Sequence, residues 1–211
     1  MADPLAPTVV EIAADATPEP RHVADGTDRP LRVVQWATGD VGRRALREIV
    51  RHPGLELVGV RVYDPAKVGR DAGELCGEPP TGVFATDDDA AILALGADCV
   101  SYMPSALDVD VLCALLETGT DIVTTRGELA VDGSHLAPAD RDRVLAACAR
   151  GQTSVYATGS SPGFITEVLP LALLTLQRRV DAITIHEFAD MSQRDSPEMI
   201  FDLMGFGHPP G

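Results

Sequence analysis

The sequence predicts an α/β fold: a doubly wound parallel sheet with helices on both faces, followed by the beginning of a second, incomplete α+β domain. Three observations carry this expectation. Short β-branched runs alternate with helically spaced segments from Leu31 to Ala157, the pattern of a parallel sheet with right-handed crossovers. A turn of small residues, Ala37-Thr38-Gly39-Asp40-Val41-Gly42, joins the first run to the first helix. Past residue 157 the alternation stops, and the remaining residues are too few to close a core of their own. The expected organisation is an acidic, disordered extension over 1–29, an α/β domain over 30–157, and the start of an incomplete second domain over 158–211.

Each element has a local reason. Leu31–Trp36 is a short strand, and Val41–Arg51 continues at helical spacing, with Val41, Ala45, Leu46, Ile49 and Val50 on one face. Pro53-Gly54 stops that helix, and Leu55–Tyr63 is a second strand. Thr81–Ala85 reads as a brief third strand. Thr86-Asp87-Asp88-Asp89 combines a cap with first-turn acids and opens a helix over Ala90–Leu95. Ala97–Tyr102 is a strand ended by Pro104, Val109–Glu117 a helix closed by Gly119, and Asp121–Thr124 a strand. Ala139–Arg150 is a helix closed by Gly151, and Thr153–Ala157 the last strand of the first domain. Gly159–Phe164 is a polar hinge. Beyond it the spacing predicts a helix over Phe164–Gln177 that carries Pro170, a strand over Val180–Phe188, a helix over Pro197–Met204 and a closing loop. A strand with an open edge there would favour self-association.

Charge narrows the function classes. The formal net charge is -15, which argues against nucleic acid and anionic membrane surfaces as partners. A small anionic cofactor is still compatible, because backbone N–H groups at a helix start bind anions locally. No apolar run is long enough to span a bilayer and no secretory signal is evident, so the expected location is cytoplasmic. Cys76, Cys99, Cys113 and Cys148 form no C-x-x-C pair and read as small buried hydrophobes. No metal-ligand spacing is present.

The turn Ala37-x-Gly39-x-x-Gly42 is a variant of the dinucleotide fingerprint with Ala in first place. Small residues let the strand reverse. Gly39 lets backbone approach a pyrophosphate, Gly42 lets the helix pack on the sheet, and the amides near Asp40 and Val41 point at the anion. Because the turn comes after a strand and opens an apolar-faced helix, a Rossmann domain binding NAD or NADP is the expected reading. The ribose reader should stand near the tip of the second strand, where Asp64, Arg61 and Lys67 all lie. An acid there favours NAD and a base NADP, and the three residues leave that choice open. Ligands sit at the carboxyl ends of such strands, so Tyr102-Met103-Pro104 and Thr124-Thr125 are candidates for the nicotinamide side.

The stretches Val33–Gly42, Val68–Gly77, Val123–Thr125 and Ser161–Phe164, with Asp195–Glu198 and Met204–Gly207, resemble actinobacterial proteins of the dihydrodipicolinate-reductase-like superfamily. More narrowly, they resemble the branch containing 2,4-diaminopentanoate dehydrogenase and related amine dehydrogenases. The resemblance runs from about residue 31 to the end. It implies a chain that continues into a larger second domain, homo-oligomeric assembly, and a small amine, imine or ketone substrate. It also implies that a glutamate after the fifth strand acts on the substrate amine or the attacking water, and Glu128 is the match. Pro162 and Gly163 would shape the pocket floor. His135, His186 and Glu187 are weaker candidates. The sequence departs from dihydrodipicolinate reductase proper, since His186-Glu187-Phe188-Ala189-Asp190 has neither a paired histidine nor a lysine acid. The expectation is therefore an NAD(P)-dependent amine dehydrogenase-like oxidoreductase. The alternatives are a dihydrodipicolinate reductase-type imine reductase and a non-catalytic NAD(P)-binding fragment.

Overall fold

The computed structural model describes residues 29–188, 190, 200–201 and 205–208. The expected N-terminal extension, apart from Arg29, lies outside them, as does the helix expected over Pro197–Met204 except for Ile200 and Phe201. The chain divides into two compact units, residues 1–163 and 164–211.

The first unit is built on a six-stranded sheet in the order β3-β2-β1-β4-β5-β6, with every ladder parallel. The strands are β1 (Leu31–Trp36), β2 (Leu55–Arg61), β3 (Ala85–Thr86), β4 (Cys99–Tyr102), β5 (Asp121–Thr124) and β6 (Val155–Ala157). The chain reverses its direction across the sheet between β1 and β4. That switch point is where open α/β sheets hold their ligands. The helices are α1 (Asp40–Arg51), α2 (Ala72–Cys76), α3 (Asp89–Leu93), α4 (Val109–Glu117), a short α5 (Ala130–Gly133) and α6 (Pro138–Gly151).

Strand alternation distributes the core between two clusters. Val34, Trp36, Val100, Tyr102 and Ile122 pack with Ile92 of α3, Leu112, Leu115 and Leu116 of α4, and Val144 and Ala147 of α6. Val60 and Val62 pack instead with Leu46 of α1 and Ala72, Leu75 and Cys76 of α2. α1 buries Gly42, Leu46 and Ile49. Val41, expected on that apolar face, is 53% exposed in the first turn. The aspartates do the capping: Asp88 accepts from Ala91 N, and Asp108 from Asp110 N and Val111 N. α6 stops differently from expectation. Gln152 takes the left-handed conformation, while a Cβ on Gly151 would lie 1.9 Å from the Leu116 carbonyl oxygen. Gly151 is therefore needed for helix–helix approach.

Two departures sit together after β2. The strand expected over Thr81–Ala85 is only Ala85–Thr86, and α2 was not expected. Asp71 explains both. Its carboxylate caps α2 through Gly73 N at 2.7 Å and takes Thr81 N at 2.9 Å and Gly82 N at 2.7 Å. Val83 O accepts from Ala72 N at 2.8 Å. Residues 81–84 are thus bound to the loop before α2 and not to β2. The N–H donors, Thr81 N first, hold the Asp71 carboxyl below its usual pKa against the opposing effect of burial. A depressed folded-state pKa gives stability that is present above the unfolded value and lost as pH falls through the folded one. Asp71→Asn is expected to flatten the acid limb of a thermal-stability profile and to lower the melting temperature at neutral pH. An unchanged acid limb would contradict the assignment.

Around the junction, Ser160–Val168 is a π-helical segment, and α7 (Leu169–Leu174) comes next. The expected single helix over Phe164–Gln177 is thus divided. α7 starts at Leu169, one residue before Pro170, directly where the π-helical segment ends. The strand expected over Val180–Phe188 does not form, and those residues are exposed. Apolar alternation makes a strand only where another strand supplies the ladder.

Candidate functional site

The turn after β1 has the geometry that the fingerprint demands. Ala37 N donates to Arg61 O at 2.9 Å, so the chain leaves the sheet beside the end of β2. Ala37 adopts φ 71°, a left-handed conformation that an alanine enters only under constraint. The buried Gln35 supplies one, donating from Nε2 to Ala37 O at 2.8 Å. Gly42 lies directly against this turn: a Cβ there would be 2.2 Å from Ala37 O. Gly39 is the opposite case, since nothing lies within 4 Å of the Cβ it lacks. No side chain caps α1 at Gly39. The first-turn N–H groups, which have no intrahelical partner, are therefore left without a side-chain cap, at a turn whose Gly39, Asp40 and Val41 are exposed. A close-packed Gly42, an open Gly39 and an uncapped helix start fit a dinucleotide pyrophosphate.

The tip of β2 is now explicit. Arg61 is the last strand residue, in register with Trp36. Its guanidinium lies 3.7 Å from the centre of the Tyr63 ring and 5.3 Å from that of Trp36, and Nε pairs with Asp89 at 2.8 Å. Asp64 accepts from Ala66 N at 2.9 Å and caps the 3-10 turn Pro65–Lys67. Lys67 reaches back to the glycine turn, with Nζ 3.0 Å from Thr38 O and 3.3 Å from Thr38 Oγ1.

The ends of β4 and β5 divide the remaining candidates. Tyr102 and Thr124 are fully buried, so neither side chain is available to a ligand. Burial pushes the Tyr102 phenol up to about 12, and its hydroxyl meets Asp108 N at 3.3 Å. Thr124 Oγ1 donates to Tyr102 O at 2.6 Å and locks the two strand ends together. Pro104 is buried, Met103 is half-buried and Thr125 is exposed, with Thr125 Oγ1 3.3 Å from the Met103 sulfur.

Glu128 lies in the 3-10 turn Gly127–Leu129 after β5. It pairs with Arg126 Nη2, and Arg126 Nη1 donates to Ser105 O at 2.6 Å. Burial pushes the Glu128 carboxyl up, but a backbone N–H and the Arg126 guanidinium outweigh it, and the net shift is downward. Glu128 is thus an ionised carboxylate anchored between the loops after β4 and β5. This role for Arg126 was not expected. Its signal in the sequence is a cation two residues before the candidate acid. Gly163 adopts φ 137°, and a Cβ there would meet Thr158 Oγ1 at 3.1 Å, so the backbone at Pro162-Gly163 needs glycine. His135, His186 and Glu187 are exposed, and the strand expected to carry the last two does not form. Cys76 and Cys113 are buried. Burial raises all four thiols, Cys99 to about 11, which makes them poor nucleophiles.

Known proteins share this sequence and this fold. The chain is 40% identical over 187 residues to an amine dehydrogenase from Streptomyces virginiae, covering 85% of this chain and 51% of the relative. It is 34% identical over 171 residues to a 4-hydroxy-tetrahydrodipicolinate reductase from Anaeromyxobacter sp. (strain Fw109-5), covering 78% of this chain and 59% of the relative. The chain is a homologue of these dehydrogenases and reductases. That agrees with the branch its motifs resemble. The chain spans between 51% and 59% of the length of these two relatives. A solved amine dehydrogenase from Mycobacterium smegmatis superposes with a TM-score of 0.60 at 24% identity, over 72% of this chain and 45% of that one, and shares the fold. No family model matches the chain. Among the described residues, no helix is long and apolar enough to cross a membrane.

Proposed function

We propose that this homologue is an NAD(P)-dependent oxidoreductase acting on C–N bonds, interconverting a small amine with the corresponding imine or ketone. The observation that carries the proposal is the turn at Gly39, open in front and uncapped, at the switch point of a parallel sheet. The bound dinucleotide would supply or accept hydride. In the reductive direction a ketone and ammonia lose water to give an imine, whose carbon takes hydride while its nitrogen takes a proton. Glu128 stands after β5, on the β4–β5 side of the turn. An ionised carboxylate there holds a substrate ammonium or accepts a proton from attacking water. Arg126 keeps it charged and oriented.

The test is reductive amination of a panel of small ketones with ammonia and NADH or NADPH. Turnover is expected. Glu128→Gln should lower kcat by about 10²–10⁴-fold, the usual contribution of a positioned acid or base, while leaving dinucleotide affinity unchanged. In the wild type the acid limb should fall below the usual glutamate pKa, because the active carboxylate is lost only as pH drops through its depressed value. Dinucleotide binding without hydride transfer to any C–N substrate would reduce the function to nucleotide binding. A second reading, reduction of a cyclic imine, is favoured by the name of the Anaeromyxobacter relative. Turnover confined to cyclic imines would select it.

A further inference from the structure

We infer that Gln35 is a positioning residue of the dinucleotide site: its buried amide holds Ala37 in the left-handed conformation and so keeps the start of α1 where its N–H groups meet phosphate. The inference rests on the dinucleotide reading above and deepens it.

The first place of the dinucleotide fingerprint is ordinarily glycine, suited to the tight turn. Here it is Ala37, buried and at φ 71°, a conformation that penalises a Cβ and leaves glycine free. Three contacts hold it there. Ala37 N donates to Arg61 O at 2.9 Å. Gln35 Nε2 lies 2.8 Å from Ala37 O and 3.3 Å from Trp36 O. Those two carbonyls belong to the peptide planes on either side of Ala37. In an extended chain successive carbonyls point to opposite sides, so one nitrogen reaches both only when the residue between them is turned. The two N–H donors of the amide thus act directly on the backbone angles of Ala37. Gly42 closes the stack, since a Cβ there would meet Nε2 at 3.1 Å as well as Ala37 O at 2.2 Å. The amide, the turn and the start of α1 are therefore one packed unit.

The other end of the amide adds an independent observation. Gln35 is fully buried in β1, in register with Val60 of β2 and Ser101 of β4. Its Oε1 is buried and has no hydrogen-bond partner among the described residues. A buried acceptor without a donor is costly, and an apolar side chain of similar volume would avoid that cost. Turning the amide over gives no relief, because Oε1 would then face two carbonyl oxygens. Gln35 is thus a poor residue for the core and a good one for the turn: its donors are used and its acceptor is not. Local violations of this kind concentrate at functional sites.

The test is a double-mutant cycle on Gln35→Met and Ala37→Gly in the full chain, read by calorimetric titration with NADPH and NADH and by thermal denaturation. Methionine has a similar length and no donor. Gln35→Met should melt near or above the parent, because the unpaired acceptor leaves with the donors. It should weaken dinucleotide binding by about tenfold, the order of the left-handed penalty of one residue. Ala37→Gly alone should bind within about twofold of the parent, since glycine enters that conformation unaided. Adding Ala37→Gly to Gln35→Met should restore most of the lost affinity, whereas a packing role gives no such coupling. A folded Gln35→Met protein that binds like the parent would overturn the inference and leave the dinucleotide site standing. A loss that Ala37→Gly does not restore would do the same. A parent that binds neither NADPH nor NADH would overturn both readings. Hydrogen exchange in the parent needs no variant. The Gln35 side-chain N–H protons should exchange far more slowly than those of the exposed Gln177, and more slowly still with NADPH bound. Protection that NADPH leaves unchanged would overturn the inference.

Discussion

Gly42→Ala is expected to lower stability by on the order of 3 kcal/mol and to abolish dinucleotide binding. The added methyl would lie 2.2 Å from Ala37 O, 3.0 Å from Ala37 C and 3.1 Å from Gln35 Nε2. Two of these atoms are backbone, and the carbonyl is itself held by the buried Gln35 amide. The strain cannot be relieved by a side-chain rotation, so either α1 lifts from the sheet or the left-handed turn at Ala37 opens. Either change moves the first-turn N–H groups away from the place where they meet an anion. For a chain of this size the loss corresponds to about 6–12 °C in melting temperature. Thermal denaturation followed by circular dichroism measures it. A melting temperature within about 2 °C of the parent would contradict the close packing of α1 on the turn.

Much of the fold is legible in the sequence because β1, β2, β4 and β5 bury residues and β6 packs the half-buried Val155 and Ala157 against the core, and burial imposes a pattern on the chain. The elements that depend on particular polar bonds are harder to read. Residues 81–84 look like a strand, yet Asp71 binds their N–H groups and takes them away from β2. α2 did carry a signal: Asp71 at its start, Glu74 in its first turn and Gly77 in the left-handed conformation at its end. The alternation of Val180–Phe188 is that of a strand, but no ladder forms on it.

The candidate site divides in the same way. The glycine turn is readable because backbone geometry alone dictates small residues at Gly39 and Gly42. Tyr102 and Thr124 stand at strand ends as expected, but their side chains turn inward, and a strand-end position does not tell which way a side chain faces. The choice among Arg61, Asp64 and Lys67 stays open in sequence because all three lie within seven residues. Spatially they part: Asp64 is used by its own turn, and Lys67 folds back over Thr38.

In the proposed function a dinucleotide pyrophosphate lies against the start of α1, in the space in front of Gly39. Gly39→Val tests it with little structural disturbance. Gly39 has φ -69° and ψ -169°, an extended conformation open to any residue, and no atom lies within 4 Å of the position of the new Cβ. The folded protein should therefore accommodate valine with its melting temperature nearly unchanged. The branched side chain would fill the space in front of the Asp40 and Val41 amides and exclude the phosphates. Calorimetric titration with NADPH is the decisive measurement. The expected result is a folded variant whose affinity is lower by about 100-fold or more, the loss of two or more charge-assisted hydrogen bonds to backbone N–H groups. A folded Gly39→Val protein that binds NADPH as tightly as the parent would place the dinucleotide away from the start of α1.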